Sequence, residues 1–172
     1  RSVENQVKIF RKENIPLLAD LQTLAQQYAA IMGEMSVVWE GKEITLQQAA
    51  KLLQHNDRNL RKEVYSLIAK RRLVEKEKLE DIFDKMVQLR HQVALNAGFE
   101  NFRDYMFASL GRFDYTVEDC TNFHQSVQKH IVPLSAALDQ KRKQEMKLDS
   151  LQPYDLEVDT SGKPALKPFN DG

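Results

Sequence analysis

The sequence is poor in several features that mark particular classes of protein. It holds one cysteine in 172 residues, which excludes an internal disulfide framework and fits a reducing compartment. It has no run of ~18 apolar residues, so no membrane-spanning helix is predicted. Its 25 Lys and Arg balance its 25 Asp and Glu, and this zero net charge argues against a general nucleic-acid binder. With 42% hydrophobic residues it is also too apolar for intrinsic disorder.

Motifs of the common catalytic centres are also absent from the sequence. No H-E-x-x-H pairs two histidines four residues apart, so the helical zinc-protease motif is missing. No Gly-x-Ser-x-Gly occurs, and Gly98 and Gly111 are isolated, which excludes a nucleophile elbow and a phosphate-cradling loop. Cys120 and His124 share a helix face, but two ligands do not make a zinc site. We favour a core cysteine beside a helix-edge histidine, and predict no catalytic or metal-ligating residue.

What the sequence does contain predicts a mainly α protein, a multi-helix scaffold. Apolar residues recur at helical spacing over long stretches, the first from Leu17 to Met32 and the last from Cys120 to Leu138. Pro133 lies inside the last stretch and is expected to kink that helix, because proline lacks the backbone N–H that the helix needs.

Several helix ends carry sequence signals. Thr45 stands three residues before a glutamine, which is the spacing of a capping box. Asn56 or Asp57 is expected to cap the next helix, and Thr116 the last long one. Gly98 is expected to close a helix, since glycine readily adopts the left-handed conformation found just after helix ends.

Two segments depart from the helical period. β-Branched and aromatic residues flank a glycine turn near residues 36–45, which predicts a small β-hairpin that must pack on helices. A possible second hairpin is predicted near 154–167. We therefore expect a helical scaffold segment with an inserted hairpin over 1–150, followed by an extended or hairpin arm over 151–172.

Positive charge is concentrated in one stretch of the chain. Residues 58–78 hold eight Lys and Arg, and 141–143 add a further patch. Glutamates interleave with these bases, which favours solvated helices with pairs four residues apart over a nucleic-acid surface.

Two regions break the local pattern and supply the candidate site residues. Arg90 falls on an apolar stripe, where we favour a structural ion pair or a stem at the core edge over an arginine lining a cleft. Residues 99–107 and 112–115 are rich in aromatics beside polar groups. Core packing between helices explains most of this pattern. The lining of a peptide cleft is the sharper alternative. On the cleft interpretation, the candidate substrate-channel residues are Arg90, Tyr105, Arg112 and Tyr115.

A set of weak motifs becomes specific when taken in order. Together they resemble the middle of the oligoendopeptidase F family, within the thimet-oligopeptidase-like zinc peptidases, and the similarity covers nearly the whole chain. The segments that carry it are Trp39–Leu46, Asn56–Glu63, Gln88–Tyr105, Arg112–Thr116, Ile131–Leu134 and Leu151–Leu156.

The resemblance implies an intracellular, mostly helical peptidase with two lobes around a deep channel, which admits short peptides and excludes folded proteins. In that family two histidines of H-E-x-x-H and a downstream glutamate hold zinc. The zinc polarises the scissile carbonyl, and the glutamate of the motif activates water. None of these residues occurs here. The resemblance therefore implies an internal fragment that supplies scaffold and channel wall, binds no zinc and is inactive by itself.

The same resemblance sets expectations for the rest of the polypeptide, its cellular location and its partners. The chain starts at Arg1 rather than Met, so we expect a piece of a larger protein whose partner is the remainder of the same polypeptide. We expect a cytoplasmic location, no nucleic-acid or membrane partner, and an exposed apolar surface where the missing part would dock. The alternative is a stand-alone helical protein-interaction module without catalysis, which would bind partners through an apolar groove.

Overall fold

The computed structural model describes residues 1–163, which form two compact units. The first unit contains Arg1–Gly33 and Lys76–Gln128. The second contains Glu34–Glu75 and the described chain from Lys129 onwards. None of the described helices combines the length and the apolar character needed to cross a membrane.

Helices account for most of the described residues, which confirms the mainly α fold class. Over 1–163 the α-helices are α1 (Ser2–Ile9), α2 (Asn14–Gly33), α3 (Leu46–Lys51), α4 (Arg58–Val74), α5 (Lys76–Asn96), α6 (Phe102–Ser109), α7 (Val117–Ser126) and α8 (Val132–Glu145). The strands are β1 (Ser36–Trp39) and β2 (Lys42–Thr45). Short 3-10 turns cover Leu52–Gln54 and Pro153–Asp155, and a π-helical turn covers Val127–Ile131.

The first unit is organised by the packing of α2 against α5 and of α1 against α6. Asn14 is buried in this unit, yet its side chain donates to the carbonyl of Val93 (3.0 Å) and accepts from Asn96 (2.8 Å), so the buried amide is satisfied. The apolar core of the unit is a cluster of buried residues, namely Ile9, Val93, Ala94, Ala97 and Tyr105.

The second unit confirms the predicted hairpin near 36–45. β1 and β2 are antiparallel, with Val37 opposite Ile44, and Glu40 and Gly41 form the two-residue turn. Two strands are marginal alone, and here β1 contacts both α3 and α4. The buried apolar residues of this unit are Met35, Val37, Leu46, Ala49, Val64, Ile68 and Val158.

The predicted helix caps are confirmed. Thr45 and Gln48 form a reciprocal capping box at the start of α3, and the carboxylate of Asp57 accepts from two backbone N–H groups at the start of α4. Thr116 caps α7 in a second box with Asp119, and the short polar side chains thus satisfy backbone donors that the helix leaves open.

Residues 117–145 are helical without a break, as the predicted long helix requires, and Pro133 lies just after a π-helical turn within it. The chain predicted as one long kinked helix is α7, the π-helical turn and then α8, with Pro133 in the first turn of α8. Proline in the first turn of α8 loses no hydrogen bond within α8, because the N–H groups of a first turn have no partner in their own helix. A regular α-helix continued backwards from Pro133 would, however, bring its ring against the carbonyl four residues earlier. That carbonyl belongs to Lys129, which lies in the π-helical turn Val127–Ile131 instead of in a regular α-helical turn.

The apolar stripe expected along these last helices is exposed rather than packed. The exposed fraction is 66% for Phe123 in α7, and 53%, 57% and 59% for Ile131, Leu134 and Leu138. Cys120, expected in a core, is half-buried.

The arm also differs from the hairpin that was predicted as possible near 154–167. Over 154–163 the structure shows no strand, and the 3-10 turn Pro153–Asp155 is followed by bends and turns. Pro153 favours this tight turn because its fixed φ suits a first helical position. Residues 164–167 of the predicted hairpin lie outside the described residues.

Candidate functional site

The first two candidate residues, Arg90 and Tyr105, belong to an aromatic cluster inside the first unit. Tyr105 is buried, with its ring 5.7 Å from that of Phe99 and 5.8 Å from that of Phe102. The Arg90 guanidinium carbon lies 5.8 Å from the centre of the Phe102 ring, and Arg90 is half-buried. Tyr105 is thus a core residue, while Arg90 sits at the edge of that core over an aromatic face.

The other two candidates, Arg112 and Tyr115, form an exposed cluster at the end of α6. The Arg112 guanidinium lies 5.1 Å from the Phe107 ring centre and 6.0 Å from that of Tyr115, and the two rings are 5.8 Å apart. Gly111 places Arg112 there. It has φ of +63° and reverses the chain, so that the Arg112 N–H donates to the carbonyl of Phe107 (3.0 Å).

The four candidates therefore form two groups rather than one site. Arg112 and Tyr115 are exposed, and a guanidinium held on aromatic rings keeps its donors available for a carboxylate. Arg90 and Tyr105 share the ring of Phe102. Neither group brings together a nucleophile and a base, so the chemistry these residues support is binding rather than bond cleavage.

The second unit carries an open groove between the hairpin and α4. Its volume is about 790 Å³, and its apolar lining comes from Val38 and Trp39 of β1 and from Leu60 and Leu67 of α4. The charged residues that line it are Glu40, Asp57, Glu63 and Lys70. The groove is of ligand size, but its mixed lining selects no particular ligand chemistry.

A buried ion cluster is the main electrostatic feature of the second unit, and sequence reasoning missed it. Arg61 and Asp155 are 1% and 0% exposed, and Nη2 of Arg61 lies 2.8 Å from Oδ1 of Asp155. Arg58 adds two hydrogen bonds to the same carboxylate, at 3.0 and 3.1 Å. The remaining Arg61 donors bind the carbonyls of Tyr154, His55 and Asn56.

This cluster sets the charge state of Asp155. Burial by itself would raise the pKa of Asp155, but the hydrogen bonds from Arg58 and Arg61 outweigh it and hold that pKa below its ordinary value. The same carboxylate raises the pKa of Arg58 by hydrogen bonding. An ionised, fully hydrogen-bonded carboxylate fits an anchor that ties the segment after α8 to α4, because its acceptor positions are already used.

A zinc site does not fit the described residues. Among residues 1–163, no group of three or more His, Cys, Asp or Glu side chains lies close enough together to hold a metal ion. Zinc in a catalytic centre needs three protein ligands, so no chemical step through zinc can be derived from this part of the chain.

Comparison with known protein families identifies a peptidase family. The sequence model of peptidase family M3 matches residues 51–169, which is more than half of the chain. No curated protein sequence matches the chain significantly.

Solved structures resemble the fold closely. A protein described as an oligoendopeptidase F from Bacillus anthracis str. Ames shares 27% identity and a TM-score of 0.86, over 91% of this chain and 29% of that one. A structure described as PZ peptidase A with an inhibitor shares 28% identity and a TM-score of 0.86, over 90% of this chain and 27% of that one. A further structure described as oligoendopeptidase F gives 27% identity and a TM-score of 0.87. The chain thus spans less than a third of the length of these structures.

Proposed function

Because this chain belongs to peptidase family M3, we propose that it is a segment of a zinc-dependent oligoendopeptidase that hydrolyses short peptides. The observation that carries the proposal is the joint match of sequence and fold, since 91% of the chain superposes on an oligoendopeptidase F structure at 27% identity. Peptide substrates belong to this proposal, as the relatives are described as peptidases.

The segment would contribute scaffold and channel wall rather than catalysis. Its described residues supply two packed units but no metal-ligand group, so the zinc ligands and the general base would come from other parts of the polypeptide. The exposed pair Arg112 and Tyr115 would face substrate, with the guanidinium available to a peptide carboxylate, and Arg90 would line the wall near Phe102. The chain by itself would be inactive.

The proposed division of labour follows the chain. Residues 1–150 would form the helical scaffold, and 151–172 would lead toward the catalytic region. The Arg61–Asp155 pair supports this, because it fixes the start of that arm on α4. We place the parent enzyme in the cytoplasm, on the single cysteine and the resemblance to intracellular peptidases, and expect no nucleic-acid or membrane partner.

The proposal is tested on the parent gene and its product. The reading frame should encode H-E-x-x-H downstream of Gly172, and the purified full-length product should cleave a quenched fluorescent peptide. A chelator should abolish cleavage and added zinc should restore it. The matched control replaces the motif glutamate by glutamine, which should remove activity without removing the metal.

The competing function is a stand-alone helical interaction module, which the exposed apolar residues of α8 favour. A reading frame without H-E-x-x-H, whose product lacks chelator-sensitive cleavage, would decide for the module. The 172-residue chain serves as a negative control in the same assay, and significant cleavage by it would contradict the proposed inactivity.

A further inference from the structure

The first turns of α8 combine two properties that rarely occur together in a folded helix. Residues 131–138 contain no charged side chain and a single polar one, Ser135, in a chain of which 29% is charged. Every one of these residues is exposed. A helical stretch that is apolar on all sides is typical of a helix surrounded by protein.

The far end of α8 shows that this exposure does not come from a loosely attached helix. Nη1 of Arg142 donates to the carbonyls of Val158 (2.7 Å) and Asp155 (3.3 Å), and Arg142 and Met146 are half-buried. The last turns of α8 are therefore held on the segment that follows them, while residues 131–138 are left uncovered.

Other exposed apolar residues in the second unit differ from this run. Leu73 and Val74 at the end of α4 are 65% and 72% exposed, but Arg72 and Lys76 stand close beside them in the sequence. Single apolar side chains among charges are normal on a protein surface, whereas an uninterrupted run marks an interaction site.

We infer that the last residue of the π-helical turn and the first turns of α8, residues 131–138, together called the α8 apolar run, form a core helix of the longer polypeptide and are covered by a part of that polypeptide outside this chain. The inference rests on the proposed function for the existence of the longer chain. The solved relatives match this fold over 90–91% of its length, yet more than two thirds of each relative lies outside the match. The covering surface should be apolar, because the run offers one side-chain hydroxyl and no charge.

A second copy of this chain fits the run less well. A stable protein interface needs roughly 800 Å² from each partner, and a run of eight residues carries four large apolar side chains. Those side chains are Ile131, Val132, Leu134 and Leu138, each about half exposed.

Thiol labelling tests the inference directly. In a Cys120→Ser background, Leu134→Cys is made both in the 172-residue chain and in the full-length product of the parent gene. Lys62→Cys, on an exposed and charged position of α4, is the matched control. We expect maleimide labelling at 134 to be at least about tenfold slower in the longer protein than in the short chain, because only local opening would expose it. The control should label at similar rates in both.

Equal labelling of position 134 in the two proteins would overturn the inference, as would a reading frame that stops at Gly172. Protection already present in the short chain, together with a dimer in sedimentation, would assign the run to a second copy and would also overturn it. Leu138→Cys provides an independent position if Leu134→Cys does not fold.

Peptidase activity of the longer protein is measured separately, so the two ideas can fail separately. Protection of position 134 without chelator-sensitive cleavage would keep this inference and remove the proposed function. Chelator-sensitive cleavage without protection of position 134 would keep the proposed function and remove this inference.

Discussion

At the scale of single residues, the pair Arg61 and Asp155 shows how two distant segments are joined. Both side chains are buried, and the carboxylate accepts from two arginines and from the backbone N–H of Gln152 (3.0 Å). Among the described residues, no buried side-chain N or O atom lacks a hydrogen-bond partner. A buried pair of this kind adds little net stability over an apolar pair, but losing one member leaves a buried charge without its counter-ion.

Asp155→Asn should therefore destabilise the chain by about 3–5 kcal/mol, because the guanidinium of Arg61 would stay buried without its anion. Urea unfolding followed by circular dichroism measures the change. Asp159→Asn is the matched control, an exposed aspartate four residues later that accepts from Ser161. The control should unfold close to the unchanged protein, and a loss as large as that of Asp155→Asn would contradict the anchoring role of the pair.

The same pair predicts a pH dependence of stability. The pKa of Asp155 is lower in the folded chain than its ordinary value of about 3.9, so as pH falls the unfolded chain takes up this proton first. The stabilisation is thus fully present above the ordinary pKa and is lost as pH falls through the folded pKa.

Urea unfolding at pH values from about 7 down to about 3 should show the stability gap between the unchanged protein and Asp155→Asn shrinking with acid. Other carboxylates with lowered pKa, such as Asp119 and Asp159, are present in both proteins and cancel in the difference. A gap that stays constant over this range would show that folding does not lower the pKa of Asp155, and a gap that widens with acid would show that folding raises it.

Part of this residue-scale chemistry was accessible from sequence and part was not. Arg58 and Arg61 were assigned to a basic stretch and to one of the family motifs but to no partner, because nothing local indicates that their partner lies more than ninety residues away. Spacing along a helix says which residues share a face, but not which distant side chain meets that face. The two short motifs that hold these residues supported the family resemblance, and the structure shows that they meet at one carboxylate.

At the scale of secondary-structure elements, the sequence predicted helix starts reliably where a side chain accepts hydrogen bonds from backbone N–H groups two or three residues later. The caps at Thr45, Asp57 and Thr116 were predicted, because a short polar side chain before a helix satisfies its open N–H groups. The π-helical turn before α8 was not predicted, since no composition signal separates it from an α-helical turn.

Gly98 supplies an element-scale prediction. It has φ of +84°, and the N–H of Phe99 donates to the carbonyl of Ala94 while that of Gly98 donates to Leu95, which together close α5. Gly98→Ala should cost about 1–2 kcal/mol, because an added Cβ disfavours this left-handed conformation although no atom lies within 4 Å of it.

Gly33→Ala is the matched control for Gly98→Ala. Gly33 ends α2, has equal space for a Cβ and does not have the left-handed φ. Alanine there should leave the free energy of unfolding unchanged or raise it by about 0.4–1 kcal/mol, since it restricts the unfolded chain. Equal effects of the two substitutions would contradict the conformational explanation.

At the scale of the whole molecule, the family was accessible from the order of several weak motifs, whereas the division into two units was not. Each unit is built from separate stretches of chain, and no change of composition marks Gly33, Glu75 or Gln128 as boundaries. Which stretches pack together depends on contacts between residues far apart in sequence, and hydrophobic period alone does not specify them.

The charge distribution of the whole chain leads to a final prediction, the absence of specific nucleic-acid binding. Two arginines of the basic stretch, Arg58 and Arg61, are committed to Asp155. Other bases pair with glutamates four residues along their helices, at 3.1 Å for Arg71–Glu75 and 3.7 Å for Lys141–Glu145. Phosphate binding needs several unpaired bases on one face, and the zero net charge adds no long-range attraction.

Fluorescence anisotropy with labelled single-stranded and duplex oligonucleotides should therefore show no binding that changes between about 50 and 200 mM salt. A double variant, Glu77→Lys with Glu80→Lys, is the positive control, because it adds positive charge at two exposed positions of α5. The logarithm of the affinity of this control should fall linearly with the logarithm of the salt concentration, and the slope should increase with the number of phosphates that the variant contacts. A steep salt dependence in the unchanged chain would mean that the pairs with glutamate open in the presence of a polyanion, and the interleaved charges would then be a binding surface after all.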